Sequence, residues 1–367
     1  MAERGARPDV PAWRVRLLRS LRSLFAPLLP DDYLELINPL WSTQELRGRI
    51  LRIERETADA ATVVIKPGWA WPGHQPGQYV RVGMPVDGVH HWRAYSITSD
   101  PGRPDGCISI TPKLVKSGKV SPYLVRTVRP GAIVRLGGVE GEFTLPDSLP
   151  AKLLFISAGS GITPIMGMLR SIDHGEGISD AVHLHSARTA EAVIFGAQLR
   201  DLAHRNPGFR LHEQLTGESG RIAPADLDGL CPDWRGRETF LSGPPDMLAA
   251  MSEHWKQELG HCDDLHVEHF QPYLGGEEGQ QGDGGTIRLC HSDVTAESDG
   301  AKPILVAGED AGATLPFGCR MGICHTCVGR LRSGRVRDLR TGAIFGQEGE
   351  MVRTCINAPE GAIEIEL

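Results

Sequence analysis

The chain has 367 residues, long enough for two to four domains with separate cores. With 40% hydrophobic and 23% charged residues it has the composition of a folded globular protein, not a disordered one. Its net charge of −7 argues against a general nucleic-acid binder, and no apolar run reaches the ~18 residues needed to span a bilayer.

Residues 1–12 are polar and expected to be disordered. Trp13 to Phe25 reads as an amphipathic helix: Trp13, Leu17, Leu21 and Leu24 share one face, while Arg16, Arg19, Ser20, Arg22 and Ser23 lie mostly on the other. Pro27 and Pro30 end it. Six Arg against Glu3 and Asp9 give residues 1–30 a charge of +4. Such a helix suits the anionic inner face of a cell membrane, and equally suits packing on the protein's own domains. Asp31 to Trp41 (DDYLELINPLW) connects onward, closing a basic N-terminal segment over residues 1–45.

From Leu46 short strands follow: Arg47–Glu56, Ala61–Lys66, Gln78–Val82, Trp92–Thr98, Cys107–Thr111 and Ala132–Gly137. They predict a closed antiparallel barrel over residues 46–147. After Pro150 strands alternate with helices: strands Lys152–Ser157, Ala181–Ala187, Phe209–Leu215 and Thr239–Ser242, and helices Pro164–Ser171, Glu191–Arg200 and Pro245–Glu258. That order predicts a parallel sheet covered by helices, over residues 148–270. Residues 271–285 (QPYLGGEEGQQGDGG) read as a flexible linker, and residues 286–367 form a last domain. The whole is a multidomain α+β protein.

The last domain carries Cys319, Cys324 and Cys327 in C-x4-C-x2-C spacing, with Cys355 further on. This is the plant-type pattern for a [2Fe–2S] cluster held by four thiolates. Gly318 and Gly322 let the loop close around the cluster and point N–H groups at sulfur. A four-cysteine zinc site is the alternative, but zinc sites usually pair two short knuckles. His325 falls off the ligand pattern and is expected to face solvent or a partner. Cys107, Cys231, Cys262 and Cys290 show no framework spacing and read as reduced, mostly buried thiols of a cytoplasmic protein.

In the barrel, Arg93-Ala94-Tyr95-Ser96 offers a cation for a phosphate, a flat ring for an isoalloxazine and a hydroxyl for its edge. Gly118-Lys119-Val120-Ser121 precedes an expected helix Pro122–Val128, and such a turn presents free N–H groups to a pyrophosphate. In the next domain, Ser157-Ala158-Gly159-Ser160-Gly161-Ile162-Thr163-Pro164 joins strand to helix. Gly159 and Gly161 allow close approach to a dinucleotide, and Pro164 fits a first helical turn. Ser186 and Arg188, at the end of the second strand, lean toward the 2′-phosphate of NADPH over NADH.

These motifs give a resemblance. Cys319 to Cys355 resemble plant-type ferredoxins, which implies a β-grasp domain. The Arg93 and Gly118 motifs, with Pro76-Gly77-Gln78-Tyr79, resemble the ferredoxin–NADP reductase superfamily, whose barrel binds FAD. In that family Lys113 would follow Val, but here it follows Pro112. The G-x-G-x-T-P run is that superfamily's own. The resemblance implies that Thr163 lies near nicotinamide and flavin, that Ser242-Gly243-Pro244 forms the second nicotinamide loop, with Ser where Cys is common, and that Glu268 and Phe270 sit at the flavin edge and face.

The resemblance implies hydride transfer from NAD(P)H C4 to flavin N5 among Ser96, Thr163, Ser242, Glu268 and Phe270, then single-electron steps through the cluster. It extends to oxygenase reductase components and to the reductase half of flavohaemoglobins. Residues 13–45 look most like actinobacterial reductases that serve membrane di-iron fatty acyl desaturases. An aromatic-ring or alkane hydroxylase reductase is the next reading, and an iron–sulfur redox sensor a third. Five arginines from Arg330 to Arg340 are a candidate docking face or an ordinary solvated surface.

Overall fold

The computed structural model describes residues 37–86, 89–115, 118–175, 177–270, 282–317, 322 and 325–367. The expected helix Trp13–Phe25, residues 271–281 of the expected linker, and Cys319 and Cys324 lie outside the described residues. Among the described residues no helix is long and apolar enough to cross a membrane.

The barrel is built from β1 (Arg47–Arg55), β2 (Ala61–Pro67), β3 (Tyr79–Val86), β4 (Val89–Ser96), β5 (Ile108–Ile110) and β6 (Ile133–Glu140). Their order is β4-β3-β6-β1-β2-β5, and an antiparallel bridge from Ile97 to Ile110 joins the two ends. Alternation puts Ile50, Val63, Ile65, Val80, Val82, Ile108 and Val134 inside. All six strands fall where the sequence pattern puts them. β3 runs four residues past its expected end, because Met84 and Val86 continue the buried face, and β6 runs on from Gly137 to Glu140. The connecting segment docks on the barrel as a short turn, Pro39–Trp41: Asn38 Oδ1 accepts from Leu40 N–H at 3.2 Å and from Arg49 at 3.2 Å.

The expected helix Pro122–Val128 is corrected. A single α turn covers Val120–Pro122 and widens into a π turn over Tyr123–Thr127. The turn starts inside the Gly118 motif because Val120, Leu124 and Val125 bury toward the barrel.

The second sheet holds β7 (Leu153–Ala158), β8 (Ala181–Ala187), β9 (Phe209–Leu215), β10 (Glu238–Gly243) and β11 (Leu265–His269), in the order β11-β10-β7-β8-β9. The β10–β7, β7–β8 and β8–β9 pairs are parallel. Phe155, Phe209 and Phe240 face one core with helix Ile162–His174. Leu154, Leu184 and Leu241 face another with helix Pro245–Leu259. The expected helix Glu191–Arg200 is also corrected: it runs Gly196–Arg205. Val193, Ile194 and Phe195 are buried in the core, and Phe195 takes a left-handed φ of 61°, so helical winding begins only after them.

The third sheet has β12 (Gly285–Leu289), β13 (Val294–Ser298), β14 (Val328–Asp338), β15 (Ile344–Phe345), β16 (Met351–Arg353) and β17 (Asn357–Glu366). The last strand lies parallel to the first and antiparallel to β14, and helix Ile304–Asp310 packs on their core, which is a β-grasp arrangement. The chain forms two compact units. One runs through the barrel and parallel sheet to Glu268; the other runs from His269 to Leu367 and includes His91–Ala94.

Candidate redox site

Tyr95 and Ser96 end β4, where Ser96 is buried and Tyr95 packs partly into the barrel core. Arg93 and Ala94, half-buried on the same strand, precede them; Arg93 Nη1 donates to Trp92 O at 2.7 Å. On the neighbouring strand Tyr79 donates its hydroxyl proton to Glu140 at 3.2 Å. Burial pushes the Tyr79 phenol up, with the charges of Glu140 and Glu268 adding to it. In the Gly118 motif, Lys119 is exposed and Val120 and Ser121 are buried; the Ser121 hydroxyl accepts from Val115 N–H at 3.0 Å. Lys113, whose place the sequence left in doubt, pairs with Asp59 at 3.6 Å.

The nicotinamide-side loop follows β7. Gly159 has φ 55° and open space where a Cβ would stand. Gly161 is the opposite case: a Cβ there would collide with the backbone of Ser242 and Gly243, so the two glycine loops touch. Thr163 donates its hydroxyl to Ser160 O at 2.9 Å, and Pro164 sits buried in the first helical turn. Pro244 caps helix Pro245–Leu259. The Ser242 hydroxyl is fully buried and has no hydrogen-bond partner among the described residues. Ser186 spends its hydroxyl on Ile222 N–H at 3.4 Å, leaving Arg188, exposed on the turn after β8, as the cation at that strand end.

Glu268 ends β11. Burial alone lifts its carboxyl to about 7, so it shares a proton with solvent near neutrality. Phe270, just past the strand, is half-buried.

The sequence did not foresee the polar row beneath this loop. Ser157 Oγ sits 2.8 Å from His183 Nε2 and 2.7 Å from His185 Nδ1, all three fully buried. Register places Ser242, Ser157 and His185 side by side on one face of the sheet. Burial lowers the His185 imidazole to about 4 and the His183 imidazole well below its ordinary value, so both are neutral. The signal was the His-x-His alternation in β8; its partner lies on another strand.

In the third domain Cys327 and Cys355 are buried within the core. Thr354 holds Cys327 O through both its N–H, at 3.1 Å, and its hydroxyl, at 2.8 Å. Gly322 N–H donates to Cys355 Sγ at 3.2 Å, and at φ 72° a Cβ on Gly322 would strike Ile356. A donor aimed at sulfur and a glycine that nothing larger can replace fit a thiolate-held cluster. His325 is exposed, as expected. Cys107 and Cys231 are buried, and Cys262 and Cys290 are half-buried. Three of the five arginines are bound inside the domain: Arg332 to Glu366 at 2.6 Å, Arg337 to Glu360 at 2.5 Å and Arg340 to Asp338 at 2.8 Å.

Three families match the chain in order: an oxidoreductase FAD-binding domain over residues 70–145, an oxidoreductase NAD-binding domain over 155–253 and a 2Fe-2S iron-sulfur cluster binding domain over 287–360. A protein of Mycobacterium tuberculosis called NADPH oxidoreductase is 45% identical over 360 residues, covering 97% of this chain and 93% of the relative. The chain belongs to this family of FAD and [2Fe–2S] oxidoreductases. A glycine betaine monooxygenase reductase subunit of Chromohalobacter salexigens is 28% identical over 357 residues, 89% of this chain and 96% of the relative. A solved phthalate dioxygenase reductase, described as a modular structure for electron transfer from pyridine nucleotides to [2Fe–2S], aligns with TM-score 0.57 at 19% identity, over 88% of this chain and 98% of its own. That likeness concerns the fold. The iron–sulfur match sets aside the zinc alternative. Members of this family are NAD(P)H-dependent oxidoreductases, and this chain has the three cofactor domains that the activity requires.

Proposed function

We propose that this chain feeds electrons from NADPH to an oxygen-activating enzyme, with a membrane di-iron fatty acyl desaturase as the acceptor. The observation that carries the reading is the order of FAD, nucleotide and [2Fe–2S] domains in one polypeptide, matched nearly end to end by a relative called NADPH oxidoreductase. That match covers 97% of the chain, so it reaches into residues 13–45, whose resemblance to desaturase reductases supports the acceptor. An aromatic-ring or alkane hydroxylase is the second acceptor class, favoured by the match to a monooxygenase reductase subunit. The proposed domain limits are residues 46–147, 148–270 and 286–367.

When bound, FAD converts paired electrons to single ones and the cluster carries them singly. The chain's residues do the rest. Tyr95 and Ser96 would lie at the flavin, Arg93 and the Gly118 to Ser121 turn would hold its diphosphate, and Gly159, Gly161, Gly243 and Pro244 would admit the nicotinamide nucleotide. Thr163 and Ser242 would orient the nicotinamide, Arg188 would take the 2′-phosphate, and Phe270 would cover the ring. Glu268 holds a proton at its carboxyl near neutral pH and can return it to the flavin edge. Cys319, Cys324, Cys327 and Cys355 hold the cluster.

The test is acyl-CoA desaturation by membranes carrying a candidate desaturase, with purified protein and NADPH or NADH. Product that requires the protein, an intact Cys319 and NADPH supports the reading. Cytochrome c reduction without product removes the desaturase and sends the test to soluble hydroxylases. Little turnover with any acceptor favours a sensor.

A further inference from the structure

The helix that begins at the nicotinamide loop lies along the stretch that follows the flavin motif. Gly167 brings the helix against the barrel: a Cβ there would stand 2.6 Å from Ile97 O. One turn on, Arg170 donates from Nη1 to Thr98 O at 2.5 Å and from Nη2 to Gln198 at 2.5 Å, with its guanidinium 4.9 Å from the Phe195 ring centroid. One turn further, His174 Nδ1 lies 2.8 Å from Asp100. Burial lowers the Arg170 guanidinium only to about 10, with the charges of Glu56 and Glu54 acting against it, so it remains a cation set among oxygen dipoles and a ring face.

Thr163, Gly167, Arg170 and His174 are spaced i, i+4, i+7 and i+11, so they share one helical face. Seven helical residues rise about 10 Å, and three extended residues span about 10 Å. Gly167 to His174 therefore keeps step with Ile97 to Asp100. Carried back one helical turn, the same step brings Thr163 level with Tyr95 and Ser96.

We propose that Gly167, Arg170 and His174 are positioning residues, forming an edge that sets the spacing between flavin-side Ser96 and nicotinamide-side Thr163. Arg170 is the clip that matters most, because it is the one member bonded both to the barrel and to the neighbouring helix Gly196–Arg205. Spacing is worth this much structure, since a misplacement of about 1 Å can cost ~10²-fold in rate. The inference rests on placing Ser96 and Thr163 at the two sides of the site.

The test uses the full chain with FAD bound. Arg170→Gln is expected to raise amide exchange at residues 97–100 about tenfold without nucleotide. It should slow the limiting rate of anaerobic flavin reduction by NADPH about tenfold, with NADPH Kd and FAD content within twofold. Arg170→Lys, which keeps a donor for Thr98 O, should recover part of both. If Arg170→Gln fails to fold, Gly167→Ala replaces it, with the same exchange and rate changes expected. Unchanged exchange and rate, or a rate that falls only with lost FAD, overturns the proposal. Ser96→Ala and Thr163→Ala separate the two ideas. If they slow reduction while Arg170→Gln does not, the edge fails. If they do nothing while Arg170→Gln raises exchange, the assignment of the site fails.

Discussion

The Glu268 carboxyl is the residue whose state changes within the working pH range. Burial holds it near 7, so flavin reduction by NADPH should show an inflection close to that pH. In Glu268→Gln the inflection should vanish and the rate fall by roughly ten- to a hundredfold, read from kcat/KM between pH 6 and 8 with ferricyanide as acceptor. An unshifted inflection would assign it to another group. The buried histidines act on stability with the opposite sign to Glu268. His183 and His185 have depressed folded values, so their contribution is complete above about pH 6.5 and drains away as pH falls toward 4. His185 alone accounts for about 3 kcal/mol at the acid end, by linkage. Glu268, raised instead, favours the fold at low pH and loses that contribution as pH climbs from about 4.5 to 7. Between pH 7.5 and 5, His185→Gln should make the melting temperature less sensitive to acid and Glu268→Gln should make it more sensitive. The sequence showed the alternation that puts both histidines on one face of β8. It did not show that Ser157, from the adjacent strand, would satisfy one nitrogen of each.

Between elements, the contacts that matter are made by residues with little or no side chain. Gly161 lies against the backbone of Ser242 and Gly243, so the loop after β7 and the loop after β10 share one surface. Gly161→Ala must push them apart. The expected outcome is a fall of about tenfold or more in kcat/KM for NADPH with FAD content unchanged, from steady-state assays and flavin absorbance. A fall in FAD content instead would mean that the strain spreads into the barrel. Strands were legible for two reasons: burial alternates at the start of β1, whereas β2 and β8 are short runs buried along nearly their whole length. Helix ends were less so. The segment Val193-Ile194-Phe195 carries the same apolar residues a helix would, and only core packing, with Phe195 at φ 61°, delays winding to Gly196. Arg170 looked like one more polar helix residue, because Thr98 is 72 positions away.

Across the whole molecule, three sheets with separate cores correspond to three chemical tasks, and a lesion in one should leave the others working. Cys355→Ser is expected to abolish the cluster's visible absorbance while keeping FAD. Ferricyanide reduction should persist within about threefold, whereas cytochrome c reduction should fall by about a hundredfold or more. Equal loss with both acceptors would mean that electrons bypass the cluster. Domain order was readable from cysteine spacing and from the change of period near Pro150, both local signals. The charge on the iron–sulfur domain was not. Five arginines between 330 and 340 were a candidate docking face in the sequence, but Glu366 and Glu360 on β17 and the nearby Asp338 pair with three of them.

The double hold of Thr354 on Cys327 O ties two distant stretches of chain together. Cys327 and Cys355 are 28 positions apart in sequence, yet β14–β16 pairing and this one threonine set their backbones against each other. Thr354 carries no thiolate, but it is the neighbour of Cys355 and the anchor of Cys327. A change at this small side chain is therefore felt at two cysteines at once.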